Sequence, residues 1–124
     1  MHACLALPSQ TSQLVVMQTG GGKSLCYQLP AVIFSKLKPG AITIVVSPLI
    51  SLMVDQVNKL KALNVSAECI SSSNSSAVNK DVYRRLPSIV LLYVTPELIE
   101  TSNFTATLNS LYESKALAMF ALDE

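Results

Sequence analysis

The chemistry of this sequence concentrates where three glycines run into a lysine and a serine, in TGGGKS from Thr19 to Ser24. A phosphate group presents several anionic oxygens in a small space, and successive backbone N–H groups at a helix start match them without side chains. Gly20, Gly21 and Gly22 let the chain wrap closely, Lys23 reaches the outer phosphates, and the Ser24 hydroxyl ligates Mg²⁺. Met17 occupies the position of the first glycine in the general pattern G-x-x-x-x-G-K-[ST], so the residues taken alone also fit a flexible turn. A second feature lies at the far end, where MFALDE runs an apolar stretch into Asp123 and Glu124. In an enzyme with such a loop, the aspartate binds Mg²⁺ and the glutamate orients the attacking water. Acidic pairs at strand ends are common on surfaces, and it is the order, loop first and acids last, that joins the two features.

Two further corners look alike. AITIVV leads into Ser47-Pro48 and SIVLLYV into Thr95-Pro96, each before a helical pattern. One reading is two well-capped helices, with the hydroxyl bonding a free N–H and proline giving up a donor that had no partner. The other is that both corners lie at the C-terminal ends of parallel strands, where open α/β sheets bind ligands, and that two such sites on one edge hold a strand of phosphates.

The elements that must position these residues are legible as alternating periods. LVVM (14–17), AITIVVS (41–47), VSAECI (65–70), SIVLLYV (88–94) and LAMFALD (117–123) are short, apolar and mostly β-branched, as buried parallel strands are. Between them, 49–63 places Leu49, Leu52, Met53, Gln56, Val57, Leu60 and Leu63 along one stripe. Weaker helices are expected at 77–86 and 104–115, and a helix after the glycines that Pro30 kinks or restarts. SSSNSS at 71–76 reads as a loop. Strand and helix in alternation imply βαβ crossovers and an α/β parallel sheet.

With 124 residues, 50% hydrophobic and 14% charged, the chain suits one domain with a sheet covered on both faces. A formal charge of +1 supplies no bulk field toward nucleic acid, so any such contact rests on local geometry. Cys4, Cys26 and Cys69 are too far apart for a zinc or disulfide pattern, and buried reduced thiols are the expected reading. MHACLALP has no basic n-region and no run approaches a membrane span, so a soluble protein without membrane contact is expected.

TGGGKSLCYQLPA, VVSPLISLMVDQV, YVTPEL and the terminal LDE resemble, in order, motifs I, Ia, Ib and the first half of motif II of the RecQ family of superfamily two DNA helicases. TSNFTATLNSLYES is similar to the human type five RecQ branch, and the resemblance covers 14–124. It implies an incomplete RecA-like P-loop NTPase domain behind a short leader at 1–13, and an ATP-dependent 3′ to 5′ DNA helicase as parent. It implies that Thr19, Gly20, Gly21, Gly22, Lys23 and Ser24 hold ATP, Ser24 and Asp123 hold Mg²⁺, and Lys23, Asp123 and Glu124 act in hydrolysis. Ser47, Pro48, Leu49, Thr95, Pro96 and Glu97 would touch single-stranded or partly duplex DNA, and a nuclear location follows by resemblance only. In that family Met17 is ordinary, whereas Gln18 replaces a usual proline.

The family's upstream glutamine motif has no counterpart here, since Gln10 and Gln13 are too close to the first strand. The remainder of motif II, motif III, the second RecA-like domain with its arginine finger and the zinc module are also absent from these residues. The expectation is therefore a partial helicase, with little turnover of its own. The alternative is an inactive nucleotide- or DNA-binding remnant.

Overall fold

A strand without a charged residue or an alternating polar side has no solvent face to offer. ITIVV at 42–46 and LLYV at 91–94 are accordingly buried throughout, which requires helices on both faces of the sheet. The computed structural model describes residues 2–6, 12–16, 25–71 and 74–123. Along them run β1 (His2–Ala6), β2 (Ser12–Val16), α1 (Leu25–Leu37), β3 (Ile42–Val46), α2 (Ile50–Ala62) and β4 (Ala67–Ile70). There follow α3 (Ser76–Arg84), β5 (Leu91–Val94), the single turn α4 (Pro96–Ile99), α5 (Ser102–Glu113) and β6 (Leu117–Asp123).

The described strands form one sheet in the order β2-β1-β6-β3-β5-β4. β6, β3, β5 and β4 are mutually parallel, and this is the α/β architecture expected from the alternating periods. β1 lies within the segment read as a leader and pairs antiparallel with both β2 and β6. Helices α1 and α2 cover one face through Tyr27, Ala31, Met53, Val57 and Leu60. On the opposite face α3, α4 and α5 pack through Val82, Leu98 and Phe104.

Several expectations are corrected. Pro30 does not restart its helix: α1 is a single helix from Leu25 to Leu37 with the proline inside it. Proline there forfeits only the bond to the carbonyl four residues earlier, at Cys26, next to the helix start. The buried stripe of α2 is narrower than the sequence suggests, with Met53, Val57 and Leu60 inside but Leu49, Leu52 and Leu63 exposed. Leu49 and Leu63 flank the helix as its end caps and so lie beyond the sheet it covers. The run 88–94 is strand only from Leu91, because Leu86–Ser88 closes α3 with a 3₁₀ turn. At Gly40, φ of +88° turns the chain from α1 into β3, a conformation that costs glycine little.

Candidate functional site

Parallel strands deliver their C-terminal ends to one edge, and register decides which residues meet there. Leu122 pairs with Val46, Val46 with Val94, and Ile70 with Val94. One residue further on, Asp123, Ser47, Thr95 and Ser71 form a single row across β6, β3, β5 and β4, at the strand spacing of about 4.8 Å. Ser47, Thr95 and Ser71 are all buried. The Ser47 N–H still donates to the Val94 carbonyl at 3.0 Å, so the ladder holds the row level.

The strand that leads toward the glycines reaches the same edge. Val16 pairs with His2 in β1, and Ala3 beside it pairs with Asp123. β2 therefore ends level with β6, two strand spacings or roughly 10 Å away. The chain leaves β2 at Val16 and is next described at Leu25, the start of α1, which lies over β6 and β3. Thr19, Gly20, Gly21, Gly22, Lys23, Ser24 and Glu124 lie outside the described residues, as do Gln10, Met17, Gln18, Ser72 and Ser73. What the backbone brings to one level is Val16, Asp123 and the two hydroxyl corners.

The capping reading fails at the first corner and holds only in position at the second. Leu49, not Ser47, precedes α2, and Pro48 stands outside the helix, because Ser47 is still held in the ladder and two residues are needed to turn. Thr95 does precede α4 with Pro96 in first position, yet its hydroxyl makes no capping bond. True caps occur elsewhere: the Ser75 hydroxyl accepts from the Val78 N–H at 3.2 Å, and that of Thr101 from the Phe104 N–H at 3.3 Å. Pro48, Leu49, Pro96 and Glu97 are exposed around the buried hydroxyls.

Two features were missed. Ser71 joins the row, and the signal was a hydroxyl directly after a strand, without the proline that marked the other two. The described part of SSSNSS is also pinned: Asn74 Nδ2 donates to the Cys69 carbonyl at 2.9 Å and to Asn79 Oδ1 at 3.1 Å, while Asn79 Nδ2 donates to the Ser71 carbonyl at 3.1 Å. Burial pushes the neighbouring Cys69 thiol above its ordinary range, against the bond from Asn74, and the Glu68 charge adds to the rise. The second is a polar chain behind the edge. Gln28 Nε2 donates to Gln56 Oε1 at 2.8 Å and to the Tyr93 hydroxyl at 3.0 Å, and Tyr93 donates to the Tyr27 hydroxyl at 3.3 Å. Gln56 within an otherwise apolar stripe was its trace in the sequence.

A family model described as DEAD/DEAH box helicase matches residues 1–124. The RecQ-like DNA helicase BLM of Xenopus laevis is 46% identical over 115 residues, which is 89% of this chain and 8% of that protein. The ATP-dependent DNA helicase Q5 of Mus musculus is 46% identical over 114 residues, 89% of this chain and 11% of its own length. The ATP-dependent DNA helicase RecQ of Haemophilus influenzae is 48% identical over 93 residues, 73% of this chain and 14% of that one. The chain thus spans only 8% to 14% of the length of these three relatives. Among the described residues no helix is long and apolar enough to cross a membrane.

Proposed function

Because the chain belongs to the DEAD/DEAH box helicase family, we propose that its sheet edge binds Mg·ATP at one end and single-stranded DNA along the other, as the nucleotide-binding part of a 3′ to 5′ helicase of RecQ type. The observation that carries this reading is the row of Asp123, Ser47 and Thr95 on one level, beside the strand end from which the glycine loop departs.

The donor set fits the ligands. Gly20, Gly21 and Gly22 offer backbone N–H groups to phosphate, with Thr19 at their head, and Lys23 brings a charge that nothing in glycine supplies. Ser24 and Asp123 offer the hard oxygen ligands that Mg²⁺ prefers, and Glu124, next to Asp123 in the sequence, would orient a water. Bound Mg²⁺ would draw charge from the phosphates. Toward DNA, Ser47 and Thr95 and the exposed corners Pro48-Leu49 and Pro96-Glu97 would meet a phosphate backbone. The Glu97 carboxylate repels phosphate, so that corner acts through its N–H groups and hydroxyl. The reading covers single-stranded or partly duplex DNA, and a nuclear location rests on the resemblance alone.

The test is binding of a fluorescent ATP analogue with Mg²⁺ to the 124-residue chain. Lys23→Ala removes a charge-assisted bond worth about 1.5–3 kcal/mol, so affinity should fall at least about tenfold. Unchanged affinity would count against the loop. Turnover by these residues alone should be negligible with or without single-stranded DNA, because transition-state charge on phosphate needs more donors than they carry. A DNA-stimulated rate that vanishes in Lys23→Ala would overturn that part.

A further inference from the structure

The edge of the sheet opposite the proposed site gathers the turns that lead from helix into parallel strand, and the ladder holds them level. The Ile42 N–H donates to the Ala116 carbonyl at 2.8 Å, that of Thr43 to Val90 at 2.8 Å, and that of Val90 to Ser66 at 2.9 Å. Lysines collect on three of these turns: Lys36 and Lys38 where α1 ends, Lys59 and Lys61 where α2 ends, and Lys115 after α5. All five are exposed. Lys61 is matched by Glu68 at 2.8 Å, whereas Lys36, Lys38, Lys59 and Lys115 form no ion pair among the described residues. Glu113, two residues before Lys115, offsets one of those charges and leaves the rest in excess. The corners at the other edge, 47–50, 74–76 and 95–102, hold no Lys or Arg.

A base in the last turn of a helix is accounted for by the helix dipole, and that covers Lys36 and Lys59. It does not cover Lys115. Helix α5 closes with the Ala116 N–H on the Leu111 carbonyl at 2.9 Å and the Lys115 N–H on that of Tyr112 at 3.1 Å, which holds Lys115 at a φ of 61°. The described residues with positive φ are Gly40, Asn64 and Lys115, one in each of the three turns. Glycine takes that conformation freely and asparagine tolerates it, but lysine is strained there. The Lys115 carbonyl accepts from the Lys38 ammonium, so lysines from two elements meet where α1 and α5 end.

Apolar side chains share this edge. Leu37 at 76% and Leu63 at 73% are the most exposed large apolar residues among those described, and Leu37 stands between Lys36 and Lys38 while Leu63 follows Lys61 by two. Packed helices lie about 8–10 Å apart, and α1 and α2 are neighbours on one face, so about three residues of extended chain span their ends. We infer that this edge is a docking surface for an acidic protein segment with apolar residues at about that spacing. A nucleic acid backbone would match the charge and leave both leucines against sugar and phosphate; Asp or Glu interleaved with Leu matches both. An anionic bilayer takes a broader apolar face than two side chains. Five strand residues, about 17 Å, separate this edge from the DNA corners, so the inference does not rest on the function proposed above.

The experiment follows fluorescence anisotropy of a short labelled peptide of repeating Leu-Glu-Glu as the 124-residue chain is added. The parent chain should bind it, should bind a Ser-Glu-Glu repeat about fivefold more weakly or worse, and should not bind a Leu-Lys-Lys repeat; affinity should fall as salt screens the exposed charges. Lys115→Gly separates the ligand role from the fold. It should raise the thermal midpoint by relieving the positive φ while weakening the peptide about twofold or more. Adding Lys38→Gln should bring the loss to about fivefold, and Leu37→Ser with Leu63→Ser should give a similar loss without a change in salt dependence. A parent chain that does not bind the Leu-Glu-Glu repeat, or binds the Leu-Lys-Lys repeat as well, overturns the inference. So does a Lys115→Gly chain with undiminished affinity or no gain in midpoint. Duplex DNA or phosphatidylserine vesicles bound more tightly than the peptide, and released by the same substitutions, would overturn the protein partner.

Discussion

The two faces of the sheet are built from alternate residues of the same strands, yet they differ in kind. In β3, Ile42, Ile44 and Val46 point to the face of α3, α4 and α5, where a cluster with Ile70, Leu92, Val94 and Phe104 is hydrocarbon. Val45 points to the face of α1 and α2, and by the two-residue period Thr43 shares it. That face buries Tyr27, Tyr93 and Thr43 and adjoins Gln28 and Gln56. Buried polar groups are directional and costly to displace, and hydrocarbon is neither. One face therefore anchors the sheet by hydrocarbon alone, and the other adds directional bonds between α1, α2 and β5.

The largest effect should come from breaking the anchoring face. Phe104 is 1% exposed, and Phe104→Ala removes its ring from the core of that face. The expected loss is about 3–5 kcal/mol of unfolding free energy, read by urea denaturation. A loss well below that range would mean that the hydrocarbon of this face does not anchor the sheet.

A smaller and opposite effect is expected on the tying face. The Thr43 hydroxyl is buried and has no partner among the described residues. It sits beside the irregular register between β3 and β6, where the pairing skips Ala118. Thr43→Val keeps the β-branched shape and removes the stranded group, so stability should rise by about 1 kcal/mol. A thermal midpoint that falls instead would mean that the hydroxyl is satisfied and the face more fully networked than it looks.

Much of this was legible in the sequence, for reasons that particular residues show. LAMFALD is a strand over its whole predicted span because an apolar run with no turn residue has no competing period. ITIVVS and YVTPEL placed their hydroxyls at strand ends because strand length and parallel direction leave them nowhere else. The row itself was not legible, since register is a property of pairs: nothing in ECISSS alone says that Ser71 stands level with Thr95. The polar chain was hidden for the same reason, as Gln28 and Gln56 look like tolerated polar residues until two helices bring them within 2.8 Å. Strand β1 was missed because HACLA, short and not β-branched, carries a weak strand signal and gains its place by pairing with β2 and β6.

The smallest effect tests whether the faces are also linked around the sheet edge. Lys61 at the end of α2 pairs with Glu68 of β4 at 2.8 Å, Glu68 approaches Arg85 at 3.7 Å, and Arg85 bonds Asp81 of α3 at 2.8 Å. Bonds from Arg84 and Arg85 hold the Asp81 carboxyl below its ordinary value of 3.8. A depressed folded value means that the unfolded chain binds the proton first. The stabilisation is therefore complete above the ordinary value and is lost as pH falls through the depressed one. Parent and Asp81→Asn chains should differ slightly in thermal midpoint near neutral pH and converge in acid, with the gap shrinking in high salt as exposed pairs are screened. A gap that survives both acid and salt would show that Asp81 acts through packing of α3 rather than charge, and would return the link between the faces to the strands alone.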